Sequence, residues 1–380
     1  MEVQRLEVKH YDELLALLNY VFSRKNKREM NFEKEMPKMC IRDDENMGKH
    51  LGIFEGDKLV ACMGVYPFEV VVAGETLRFA TTGNVAVHPD CEGKGYMGKM
   101  MNAAMKELDR LDIDIARLGG LRSRYNRYGF ESCGQNFIFT FTEKNRQRKF
   151  PDFKNDITFM RINADDKDAL AFVTSLYNKN KIAVPRIVDN AYLSLTMWLN
   201  TPYLAMRDGV PVGYICANED KNDIAEFDAV DLSALTDMIC AWQEYADCNI
   251  TFSRQMHQVD SVRIFSEVCE GYSAHSPSHF KIINWEKAVD MFFKLKSTYC
   301  SVMPGEFRIE IEGYGTLLLF SKGEEVGCRL CSDNPDITLD AITATRYIFG
   351  SYSPVYTAYA PPVLQAWFPL PLSWNGQDRV

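Results

Sequence analysis

Apolar positions recur along this chain with two periods, and the points where the period changes divide it into elements. From residue 11, "YDELLALLNYVFSRKN" carries Leu14, Leu15, Leu18, Val21 and Phe22 at helical spacing, the stripe that turns one helix face to a core. Two apolar runs follow, "HLGIFE" and "LVACMGVYPFEVVVA", separated by Gly56-Asp57-Lys58, which predicts an antiparallel hairpin. "LRFATTGNVAVHP" predicts another strand, followed by a glycine-rich loop and a helix with Met97, Met100, Met101, Ala104, Met105, Leu108 and Leu111 along one face. "DIARLGGL" predicts the next strand, and the compact segment "RSRYNRYGFESCGQNFIFTF" closes the unit.

The polar stretch "EKNRQRKFPDFKND", residues 143–156, breaks the pattern and predicts a linker. Beyond it the order of elements repeats. "ITFMRI" predicts a strand, "DALAFVTSLYNKN" an amphipathic helix and "PYLAMRDGVPVGYICANED" a second hairpin turning at Asp208-Gly209. No glycine-rich loop follows this hairpin, because "DLSALTDMICAWQEYADC" runs straight into a helix. From about Trp285 the texture changes to a helix, two or three antiparallel strands and another helix. The end, "APPVLQAWFPLPLSWNGQDRV", is rich in prolines and aromatics, which predicts an anchored segment.

Composition narrows the function classes. A formal charge of -9 argues against general nucleic-acid binding, which needs a surplus of lysine and arginine, and it favours a cationic substrate. The first residues are too charged for a signal peptide, and no run approaches the ~20 apolar residues of a membrane span. A cytoplasmic protein without membrane partners is expected. The eleven cysteines lack a repeated spacing, so neither a disulfide framework nor a metal site is expected. Cys91 lies in the glycine loop, but no histidine and acid stand at a nucleophile's spacing around it.

The loop "HPDCEGKGYMGKM" satisfies G-x-G-x-x-G at Gly93, Gly95 and Gly98. A dinucleotide fold would begin with a parallel unit and place an acid at the end of the next strand. Here some ninety residues of antiparallel pattern come first, and Asp112 and Asp114 lie at that strand's beginning. A P-loop needs Ser or Thr after its lysine, and Met100 stands there.

The order helix, hairpin, long strand, V-x-V-x-P, glycine loop, helix, strand and Y-x-x-x-G-F resembles the GNAT family of acetyl-CoA-dependent acyltransferases. Val85, Ala86 and Val87 match the strand whose backbone holds the pantetheine in that family. Gly93, Lys94, Gly95, Tyr96, Met97 and Gly98 match the loop and helix start that hold the pyrophosphate. Tyr125 with Gly129-Phe130 matches the closing motif. Glu92 stands where the family has glutamine or arginine, so it must point outward, with Lys94 or Lys99 supplying positive charge. Over its full length the chain resembles the enhanced intracellular survival (Eis) type. The fold class implied is α/β (α+β), with tandem GNAT-like mixed-sheet domains over 1–145 and 150–284 and a sterol-carrier-protein-like α+β domain over 285–380.

That resemblance implies acetyl-CoA as co-substrate, no metal, and direct N-acetyl transfer to a primary amine of a polycationic acceptor. The acceptor would be an aminoglycoside-like compound, a polyamine or a lysine side chain. Tyr125 would be the general acid, and the terminal carboxylate of Val380 the base, with Asp378 or water as alternatives. A homo-oligomer, trimer or hexamer, is implied as well. The competing reading is a non-catalytic carrier of acyl-CoA or lipid.

Overall fold

The computed structural model describes residues 2–373 and 375–378. Three sheets organise them. The first has eight strands in the order Gln4–Arg5, His50–Glu55, Lys58–Val72, Glu75–Val87, Ile115–Leu118, Ser278–Ile282 and Glu131–Cys133, with Ile182–Ala183 added beside Lys58–Val72. Only Glu75–Val87 and Ile115–Leu118 run parallel in it. The second has seven strands, Gly271–His275, Asn136–Phe141, Ile250–Gln255, Asp223–Ala229, Val210–Ala217, Thr201–Arg207 and Ile157–Arg161. Its one parallel pair is Asp223–Ala229 with Ile250–Gln255. The third has four: Glu325–Cys331, Gly315–Lys322, Gly305–Ile311 and Ile337–Leu339.

Both predicted hairpins form, turning at Gly56 and at Asp208-Gly209, all with positive φ. The helix Tyr96–Arg110 buries Met100, Met101, Ala104 and Leu108 against Val65, Ala80, Ala116 and Leu118 on one face of the first sheet. The opposite face, with Val70, Leu77, Phe79 and Ile115, shares one core with the helix Trp285–Ser297 and with Ile309, Ile311, Leu317 and Leu319 of the third sheet. The C-terminal region is therefore packed onto the first sheet along a continuous apolar layer.

Two strands are exchanged across the expected boundary. Asn136–Phe141 falls before residue 145 yet pairs in the second sheet, where Phe139 and Phe141 are fully buried and Phe139 stacks on Phe252 at 5.7 Å. Ser278–Ile282 falls before residue 284 yet enters the first sheet between Ile115–Leu118 and Glu131–Cys133. The expected linker begins as a helix, Glu143–Lys149, because Thr142 and Asn145 cap it reciprocally and Arg146 reaches Gln243.

The tail is anchored, as its composition predicts. Leu370 and Leu372 are fully buried, and beyond them the chain enters the second unit. There Arg186 sets two nitrogens on the Glu226 carboxylate, at 2.6 and 2.7 Å, and donates to Asp378 at 2.7 Å. The Tyr177 hydroxyl donates to Asp378, the Tyr214 hydroxyl to Glu226, and Lys38 of the N-terminal unit stands 3.9 Å from Asp378. Asp378 is thus committed to a buried ion pair, which removes it as an alternative base. Val380 lies outside the described residues.

Candidate active site

The site begins with a parting of strands. Phe79–Thr82 ladder onto Ile115–Leu118, and there the parallel pairing ends. Beyond it Gly83, Ala86 and Val87 stay paired to Gly64, Cys62 and Ala61 on the other side, with a register shift between Cys62 and Gly64. The extra residue is Asn84, held at φ 53°, the left-handed region that a non-glycine side chain enters only when its surroundings enforce it. Enforcement is visible beneath it. Asn84 Nδ2 donates to Tyr66 Oη at 2.8 Å, Tyr66 meets His50 Nε2 at 2.9 Å, and His50 Nδ1 meets the Asn46 carbonyl at 3.1 Å. This bulge turns the backbone of residues 83–87 toward the gap.

His50 must be neutral to accept from Tyr66, and burial holds its pKa down to about 4. The unfolded chain, at the ordinary value of 6.5, binds that proton more readily. Stability is therefore complete above that value and falls as pH drops through it toward the folded pKa, with a limiting slope of about 1.4 kcal/mol per pH unit. Urea unfolding across this window should show the loss, and His50→Gln should remove about one proton from the slope. An identical slope in the variant would show that His50 is not held neutral.

The loop supplies the next part. Gly93 and Gly95 sit at φ 80° and 76°, and Gly95, with no side chain of its own to bond the first-turn N–H groups, caps the helix Tyr96–Arg110. These N–H groups and the positive end of a fifteen-residue helix make an anion site. The loop opens on a cleft of about 750 Å³ that contains Val85, Val87, Gly93, Met97 and Gly98. A Cβ at Gly95 would meet no protein atom within 4 Å, so it would stand in that space. Gly95→Val should therefore weaken acetyl-CoA binding by about 10-fold or more, since relieving the ~1–3 kcal/mol of strain would swing the N–H groups away. Calorimetric titration measures this, and an unchanged affinity would mean the loop holds no phosphate.

The expected source of positive charge is corrected by the geometry. Lys94 Nζ donates to Glu55 at 2.7 Å, and the Tyr96 hydroxyl donates to the same carboxylate at 2.6 Å. Both side chains are spent on fastening the loop to the His50–Glu55 strand, leaving only their backbone for a ligand. Lys99 stands 5.9 Å over the Tyr96 ring. The cations that line the cleft are Arg24 and Lys25 at the end of the first helix, Tyr11–Asn26, with Arg124 and Arg127 after Ile115–Leu118. Sequence reasoning did not single out these four, although they lie in the basic runs "FSRKNKR" and "RSRYNR". Glu92 is exposed. Ala86 is buried and turned to the opposite face, where it joins the core under the first helix.

Tyr125 lies in the short turn Arg122–Tyr125, 5% exposed, and faces a second cleft of about 320 Å³ that also contains Val85. The two clefts thus meet at Val85, with the bulge on one side and the phenol on the other. Burial raises the Tyr125 pKa, and Arg124 opposes the rise, which keeps the hydroxyl protonated as a donor. Tyr128 packs against the core of this unit, 3.7 Å from where a Cβ at Gly98 would stand. The turn is fixed by Glu131, which accepts from Arg122 at 2.7 Å, Asn126 at 2.9 Å and Arg346 at 3.0 Å. Burial would raise the Glu131 pKa, but Arg122 and Arg346 bring it down to about 2. Cys91 is buried, with Glu55 and Lys94 each 3.7 Å from its sulfur. The tail passes close by: Gln377 donates to the carbonyls of Leu195 and Met197, beside Trp198, which lines the smaller cleft.

Residues 2–133 match the model of the acetyltransferase (GNAT) domain. A search of curated proteins found no match. Among solved structures, the chain is similar to a GCN5-related N-acetyltransferase from Anabaena variabilis, with TM-score 0.68, 13% identity and 98% of each chain covered. It is similar to one from Kribbella flavida, with TM-score 0.65, 14% identity, and 97% of this chain and 96% of that one covered. It is also similar to Eis1 from Mycobacterium abscessus, with TM-score 0.66, 11% identity, and 99% and 98% covered. At such identities the likeness is one of fold. Over residues 2–133 the chain carries the acetyltransferase (GNAT) domain of an enzyme.

Proposed function

We propose that this enzyme transfers acetyl from acetyl-CoA directly to a primary amine at the junction of the two clefts. The observation that carries the reading is the bulge at Asn84, which opens backbone toward a space bounded by the glycine loop on one side and Tyr125 on the other. The amine nitrogen attacks the thioester carbon, and a backbone N–H of Val85 to Val87 stabilises the oxyanion. Collapse expels the CoA thiolate, which takes the proton of Tyr125, and the proton that the attacking nitrogen sheds as it becomes the amide restores the tyrosine hydroxyl through water. The amine, with an ordinary pKa near ~10.4, must first lose a proton. We assign that step to the carboxylate of Val380 or to water. No acyl-enzyme on Cys91 is part of this scheme.

For the acceptor, the overall acidity and the Eis resemblance support a polycationic amine: aminoglycoside-like, polyamine or lysine. One observation favours a second reading, an amine on an apolar body. The smaller cleft is lined by Met30, Met36, Met39, Phe32 and Trp198 together with Lys25, Arg117 and Arg124, and by no carboxylate among the described residues. CoA release measured across spermidine, an aminoglycoside, a lysine peptide and phenethylamine separates the two. Turnover with none of them would favour the competing function, a carrier of acyl-CoA or lipid. The C-terminal region, by its resemblance to sterol carrier proteins, is read as a scaffold that delivers the tail. A cytoplasmic homo-oligomer, trimer or hexamer, completes the proposal.

A further inference from the structure

The second sheet repeats the geometry of the first cleft without its glycine loop. Asp223–Ala229 and Ile250–Gln255 pair in parallel at Asp223↔Thr251 and Ile224↔Phe252 only, and then part. Each is followed by a helix, Leu232–Ala246 after the first strand and Val259–Val268 after the second. The gap opens on a cleft of about 490 Å³, which residues 181, 298 and 299 close from outside the sheet.

Three polar side chains in this cleft carry buried polar atoms without a partner among the described residues. Arg254 is 4% exposed, its Nη1 donates to the Phe227 carbonyl at 3.1 Å, and its guanidinium lies 3.8 Å over the Phe227 ring, while Nε has no acceptor. His257 is 6% exposed and neither ring nitrogen is hydrogen-bonded. The Tyr299 hydroxyl is buried and also unmet. Buried guanidinium groups are ordinarily paired, as Arg186 is by Glu226 and Asp378 in the same unit. Arg254 makes no ion pair among the described residues. Burial, and then the charges of Lys181 and Arg254, lower the His257 pKa to about 3.

The acids at this cleft are engaged or at its rim. Asp228 accepts from Asn180 at 3.1 Å, Asp231 caps Leu232–Ala246 through the Ala234 N–H at 2.8 Å, and Asp260 is exposed. They would repel a multiply charged ligand, whereas one buried guanidinium balances one negative charge. Ala229, Leu232 and Leu235 offer apolar surface beside it. We infer that this cleft binds a small monocarboxylate, its carboxylate on Arg254, His257 and Tyr299 and its apolar body on Ala229, Leu232 and Leu235. The two sheets then hold different ligands: a phosphate-bearing one where the glycine loop is present, and a single carboxylate where it is not.

The test follows the histidine ring resonances of the full chain during titration with butyrate, with inorganic phosphate and n-butylamine as comparison probes. His257→Gln identifies the responding signal. Butyrate should move it saturably, and phosphate and n-butylamine should not. Arg254→Met should weaken butyrate by about 10-fold or more, the loss expected of a charge-assisted contact, and leave acetyl-CoA titration unchanged. If that variant does not fold, Tyr299→Phe takes its place, with a several-fold loss expected. Saturation with acetyl-CoA should not displace butyrate. No saturable movement, an equal or stronger response to phosphate, an unchanged affinity in the folded variant, or displacement by acetyl-CoA would each overturn the inference.

Discussion

Tyr125→Phe should lower turnover by about 100- to 10,000-fold, the contribution typical of a general acid, while acetyl-CoA binds with unchanged affinity. The substitution removes only the hydroxyl, and the ring that fills the space beside Gly120 remains. The phenol is buried, and its raised pKa keeps it protonated until the thiolate forms. The departing thiolate is the natural recipient. The loss should therefore appear in kcat, with the Kd for acetyl-CoA held constant. Removal of Arg379 and Val380 should also lower turnover. If both groups act in one transition state, the combined loss will be less than the sum. A Tyr125→Phe enzyme with full kcat would make the tyrosine a packing residue and leave the thiolate to water.

Arg186→Met should destabilise the protein by about 3–5 kcal/mol, because it leaves two carboxylates buried without their cation. Glu226 and Asp378 have fully buried side chains, and among the described residues Arg186 is the only one that bonds both. Lys38, at 3.9 Å, remains as a distant charge. Asp378 belongs to the tail and Lys38 to the N-terminal unit, so the same change should loosen the tail's seat beside Trp198. Urea unfolding gives the free energy, and proteolysis near the C-terminus should become faster at temperatures where the variant is still folded. A stability loss below about 1 kcal/mol would place the tail's anchorage in Leu370 and Leu372 instead.

Much of the fold was legible because it rests on local signals. The helix faces at Leu14–Phe22 and Met97–Leu111 and the hairpin turns at Gly56 and Gly209 follow from period and turn chemistry. The exchange of Asn136–Phe141 and Ser278–Ile282 was not legible, since alternation fixes which face of a strand is buried but not which sheet it joins. That the glycine loop runs into a helix was legible from local pattern, while the roles of its glycines and of Tyr125 rest on the resemblance. Arg24, Lys25, Arg124 and Arg127 could not be assigned to the cleft, because they meet only through packing of the first helix against the strand gap. Lys94 was misjudged for the same reason: its partner Glu55 is thirty-nine residues away. The Asn84–Tyr66–His50 chain carries no sequence signature, because a bulge is a property of two strands together.

The central claim is that acetyl passes from CoA to an amine at this junction without resting on the protein. Isotope-labelled acetyl-CoA, incubated with the enzyme first alone and then with a turned-over amine, followed by mass spectrometry of protein and product, tests it most directly. The account predicts an unmodified protein at the first stage, then one acetyl group on the amine for each CoA thiol released. Acetyl retained on Cys91 and chased off by the amine, or acetyl-CoA bound tightly with no product from any amine, would contradict it.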